Sequence, residues 1–133
     1  MLLMKLEPSE KFAFLQLSHY LARIDGHYGE AEINIIEEYC AEMGIDNNNN
    51  FDVDEFDLEY TLSKFKSKKS KKIVLLESMI LIHIDNRFDL KEIDLISSIL
   101  ESFNIDEKEI KYFSSWGKAA SALYEQGVGL IED

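Results

Sequence analysis

The chain has 133 residues, 46% of them hydrophobic and 11% aromatic, which is enough to bury a core without a metal or disulfide staple and excludes wholesale disorder. A formal net charge of -12 and a pI near 4.6 argue against a nucleic-acid partner, whose phosphates would be repelled at long range. The single cysteine, Cys40, cannot form an intramolecular disulfide, and MLLMKLEPSE lacks the apolar core and small-residue cleavage site of a secretory signal, so the expectation is a cytoplasmic protein.

In chain order, Pro8 suits the first turn of a helix whose buried stripe is Phe14, Leu17, Leu21 and Ile24. After a turn at Asp25 and Gly26, a second helix carries Ile33, Ile36, Cys40 and Met43 at i, i+3, i+7 and i+10, and Gly44 closes it. The polar segment DNNNNFDVDEFD follows, with Asp46, Asn48, Asn50 and Asp52 at positions 1, 3, 5 and 7 of a calcium loop. Phe51 stands there where the sharp turn wants glycine, and Asp57 where a longer glutamate is expected, so the better reading is a flexible Asn-rich loop ending in an Asp N-cap. A third helix is predicted from about Asp54 to Phe65.

A basic run comes next: Lys64, Lys66, Lys68, Lys69, Lys71 and Lys72 hold six of the 14 basic residues, with nothing acidic between Glu59 and Glu77. Without it the balance would be 8 basic against 26 acidic residues, or -18, so the molecule is electrically two-sided. The apolar run from Ile73 to Ile84 is 12 residues long and contains Glu77 and His83. A bilayer span takes about 20 residues, so this is a buried core helix. Past it, a helix with Ile93, Ile96, Leu100 and Phe103 ends at Asn104, Asp106 and Glu109 have capping-box spacing, a helix reaches from near Glu107 to Trp116 and Gly117, and a separate small-residue helix covers Lys118 to Gln126.

The chain is internally duplicated. Residues 14–46 superpose without a gap on 74–106 at an offset of 60 (85 minus 25), with Leu15/Leu75, Ser18/Ser78, Leu21/Leu81, Asp25/Asp85, Glu32/Glu92 and Ile36/Ile96 among the identical pairs. His19 falls opposite Met79 in this register, as a core or boundary residue would. No segment shows sustained period-two alternation. The expected fold is therefore all-α: one domain spanning 1–133, a compact bundle of about six or seven helices in which two helical hairpins pack about an approximate two-fold axis.

LARIDGHYGEAEINIIEEYCAEMGI, with Ala-x-x-Asp-Gly, a glutamate seven residues after the Asp and a Gly-apolar stop, resembles the TerB-like family of tellurite-resistance domains, also found at the front of some DnaJ-type co-chaperones. LIHIDNRFDLKEIDLISSILESFNI is a more degenerate second copy, lacking the glycine at Asn86, and the two copies cover about half the chain. The resemblance implies a seven-helix bundle, a link to stress response, and a divalent cation such as Ca or Mg at Asp25, Glu32, Asp85 and Glu92.

Each candidate residue also has a structural explanation. Asp25 and Asp85 lie at the carbonyl ends of helices, where a carboxylate is disfavoured by the helix dipole and either accepts backbone N–H bonds across the turn or joins a cation. Glu32 and Glu92 sit three residues after Gly29 and Asp89, the capping-box position. The lysine run is a solvated linker or a handle for a protein partner or, peripherally, an anionic membrane, where each lysine adds about 1 kcal/mol; no aromatic beyond Phe65 accompanies it in the sequence. His19, His27 and His83 form no His-x-x-x-His pair, Cys40 lies on a buried stripe, and no catalytic constellation emerges. The expected function is a noncatalytic interaction module, with a cation sensor or buffer as the alternative.

Overall fold

A computed structural model describes residues 1–24, 26–84 and 90–132. Among these there is no strand, and the architecture is an all-α bundle of six helices: α1 (Pro8–Arg23), α2 (Glu30–Met43), α3 (Leu58–Leu62), α4 (Lys68–His83), α5 (Leu90–Phe103) and α6 (Ile110–Ile131). No helix of the described residues is long and apolar enough to cross a membrane.

The duplication governs the bundle's layout. α1 and α4 begin and end at the same offset (68 minus 8, 83 minus 23), as do α2 and α5 (90 minus 30, 103 minus 43). The correspondence thus reaches further toward the N-terminus than sequence identity shows. Glu7 and Ser67 stand before the two hairpins as N-caps, and Glu10 and Ser70, three residues on, bond back to the Glu7 and Ser67 N–H groups. Those side chains satisfy donors that a helix start leaves without intrahelical partners. At the other ends, Gly44 and Asn104 both take the left-handed conformation, with φ of 69° and 56°, as their sequence positions predict.

Burial repeats as well, with one shift from the expected stripe. Ile35, Ile36, Tyr39, Cys40 and Met43 are buried in α2, and Leu95, Ile96, Ile99, Leu100 and Phe103 are buried in α5. Ile33 and Ile93, expected on that stripe, are instead 41% and 37% exposed. At about 100° per residue, i, i+1, i+4, i+5 and i+8 span a buried face about 140° wide, and the residue two places before i falls just beyond its edge. One contiguous apolar cluster joins both hairpins, the N-terminal turn and α6.

Three expected elements differ. The third helix is shorter, a 3-10 turn at Val53–Glu55 followed by α3, whose N-cap Asp57 accepts the Tyr60 N–H at 3.0 Å. The lysine run is not a linker throughout: Lys68, Lys69, Lys71 and Lys72 form the opening of α4. The two helices expected either side of Gly117 are one, because Gly117 lies on the buried face of α6 where it crosses α4. An added Cβ there would lie 2.7 Å from the Met79 carbonyl carbon, so glycine serves close approach and not a break.

Candidate functional site

The lysine run lies beside the start of α1. Lys64, Lys66 and Lys69 line a shallow hollow of about 360 Å3 with Lys5, Glu7 and Glu10. The Lys66 backbone N–H donates to the buried Glu10 at 3.3 Å, which ties the run to α1. Yet among the described residues no carboxylate lies within ion-pair distance of the ammonium group of Lys64, Lys66, Lys68, Lys69, Lys71 or Lys72. This is unusual company for a chain with 26 acidic residues. The first turn of α4 contains no acidic residue, so the lysines there face the positive end of the helix dipole, an arrangement unfavourable by about 0.3–1 kcal/mol per charge.

The structure corrects the expectation that no aromatic accompanies these lysines. Phe65 itself is buried, edge-on to Phe103, but Phe12 from α1 and Tyr60 from α3 stand 60% and 61% exposed beside the run. They line an apolar recess of about 300 Å3 that shares Ser9 and Lys64 with the basic hollow. The Lys64 ammonium sits 4.4 Å from the centre of the Tyr60 ring, a cation–π contact at helical i, i+4 spacing. That spacing was legible in the sequence; the approach of Phe12, 48 residues before Tyr60 (60 minus 12), was not.

Of the acidic candidates, Asp25 and Asp85 lie outside the described residues. Glu32 is buried and accepts the Gly29 N–H at 3.2 Å, the capping role that its position predicts, and Glu92 is equally buried at the matching place in α5. No group of three or more His, Cys, Asp or Glu placed to share a metal occurs among the described residues. The Asn-rich loop is tied down where flexibility was expected. Asn48 and Asp52 each accept a backbone N–H two residues on, and Asn47 bridges Glu37 and the ring of His19.

His19 is a core residue with a fixed proton pattern. Its Nε2–H donates to Asn47 Oδ1 at 2.8 Å, and its Nδ1 accepts from Arg23 at 2.9 Å, while Phe51 stacks on the ring at 5.3 Å. Burial pushes the imidazole below its usual range; Asn47 opposes that shift and the Arg23 charge adds to it. Cys40 is buried too, and burial, with the charges of Glu37 and Asp46, raises its thiol to about 11. It is an inert thiol at neutral pH.

Set against known proteins, the chain matches no family model, no curated protein and no solved structure.

Proposed function

We infer that the protein is a noncatalytic helical interaction module, of the TerB-like kind its repeated motif resembles, that docks an acidic segment of a partner protein carrying an apolar anchor. The observation that carries this reading is the lysine cluster, without an ion pair among the described residues, with exposed Phe12 and Tyr60 beside it. Lysines held at a helix N-terminus with no carboxylate at ion-pair distance among the described residues destabilise the free protein slightly, and an anionic partner relieves that cost. The aromatic pair supplies the apolar area that charge alone lacks, in the manner of an interface anchor. A protein segment fits better than a lipid surface because the apolar part is a recess, not a protruding wedge, and better than nucleic acid because the rest of the chain is strongly negative.

The test is fluorescence anisotropy with a labelled synthetic peptide of alternating glutamate and leucine, its lysine-leucine counterpart, and vesicles containing phosphatidylserine. The acidic peptide is expected to bind with an affinity that falls as salt rises, to weaken at least tenfold in Lys66→Glu with Lys69→Glu, and to weaken in Tyr60→Ser at unchanged salt slope. Equal binding of both peptides, or binding to vesicles alone, overturns the reading.

A further inference from the structure

The apolar recess beside the lysines continues past Tyr60. It shares Phe12, Gln16, Tyr60 and Thr61 with a third hollow of about 330 Å3 that opens toward the Asn-rich loop, as it shares Ser9 and Lys64 with the basic hollow. The three form one groove along the seam of α1 and α3. Both walls have helical spacing: Ser9, Phe12 and Gln16 share a face of α1, and Tyr60, Thr61 and Lys64 follow the N-cap Asp57 at three, four and seven residues.

The ends of this groove carry opposite charge. Lys64, Lys66 and Lys69 line one end, and Asp52, Glu55 and Asp57, all exposed, line the other, with Phe12 and Tyr60 between them. Glu7 and Glu10, which also border the basic end, are engaged in capping α1 and in holding the Lys66 N–H. Among the described residues no cationic side chain lies within ion-pair distance of Asp52, Glu55 or Asp57. From Ser9 to Gln16 the α1 wall rises roughly 10 Å, at 1.5 Å per residue, which is about a Debye length. The two ends therefore do little to neutralise each other.

We propose that the groove takes a partner segment of mixed charge, acidic where it meets the lysines, apolar at Phe12 and Tyr60, and basic where it meets Asp52 and Glu55. This rests on the docking function inferred above and adds the chemistry of the segment beyond its anchor. A uniformly acidic segment laid along the groove gains at one end and is repelled at the other, whereas a segment of reversed charge order gains at both. An extended chain advances about 3.3 Å per residue, so roughly three residues cover the seam and the charged side chains flank a central apolar one. Complementarity of this kind fixes register and direction more than it raises affinity.

The experiment is fluorescence anisotropy of the intact chain with two capped, labelled peptides, Glu-Glu-Ala-Leu-Ala-Lys-Lys and the reverse order Lys-Lys-Ala-Leu-Ala-Glu-Glu, each beside a control with glutamine for lysine. At least one order is expected to bind about fivefold tighter than its control, the scale of two exposed ion pairs. Asp52→Asn with Glu55→Gln is expected to remove that gain without weakening the controls, and asparagine at 52 keeps the acceptor for the Asp54 N–H. No gain in either order, or a gain that survives in the double variant, overturns the proposal. If the glutamate-leucine peptide binds and the added lysines contribute nothing, the mixed-charge segment alone is refuted; if that peptide also fails to bind, the docking function is refuted with it.

Discussion

The two hairpins share their helix boundaries and their buried positions, yet their equivalent faces are covered in unlike ways. On the first hairpin, His19 and Tyr20 meet a polar, aromatic loop: Asn47 bonds His19, Phe51 stacks on it, and Phe56 stacks on Tyr20 at 4.4 Å. On the second, the position equivalent to His19 is Met79, and it meets the backbone of α6 at Gly117, while His83 reaches Ser114 at 3.0 Å. A duplicated helix pair presents the same shape twice, but α6 packs mainly against α4, in the second copy. The first copy is finished by a hydrogen-bonded loop and the second by close helix packing. That division explains two of the polar residues in the core: a histidine where a loop can supply an amide, and a glutamate at 77 where the N-terminal turn supplies the Leu2 N–H.

Leu17→Glu breaks the comparison most severely, because it places in the first hairpin the carboxylate of the second without the Leu2 N–H to receive it. Urea denaturation is expected to show a loss of at least about 4 kcal/mol, or no folded protein. A loss under about 1 kcal/mol would mean that the interior at Leu17 is not sealed. Gly117→Ala acts on the second hairpin alone. The new methyl would press on the Met79 backbone, and although alanine favours a helix by about 1 kcal/mol, a net loss of about 2 kcal/mol is expected in the same measurement.

The smallest effect distinguishes the loop-covered face by pH. His19 and His83 are both held below the ordinary 6.5 by burial, with the charges of Arg23 and Lys118 acting in the same direction. The unfolded chain therefore takes up these protons first as pH falls. The stability from keeping the rings neutral is fully present above about pH 6.5 and is lost as pH drops through the folded values. His19→Gln keeps a donor for Asn47 without the titration, so its melting temperature is expected to fall less between pH 7 and 5.5 than that of the unaltered chain. Identical slopes would assign the effect elsewhere.

Much of this was legible from local pattern. The helical class, the hairpin ends at Gly44 and Asn104, the capping place of Glu32 and the core positions of His19 and Cys40 depend on neighbours a few residues away or on the register of the repeat, both of which a linear reading contains. The misplaced residues share a cause. Ile33 and Ile93 satisfied the helical period yet turned outward, because a stripe specifies a face only to within one residue until its partner is known. Gly117 looked like a stop and is a contact, since the same residue type serves both.

What the sequence by itself determined is the duplicated all-helical frame and its two-sided charge, because periodicity, caps and composition are properties of short segments. Only the tertiary structure decided that Phe12 and Tyr60 flank the lysines and that Glu77 is sealed under the N-terminal turn beside Glu42. Those neighbours are separated by 48 residues in one case (60 minus 12) and 35 in the other (77 minus 42). Contacts at such range arise from how the whole core packs, which no local spacing encodes.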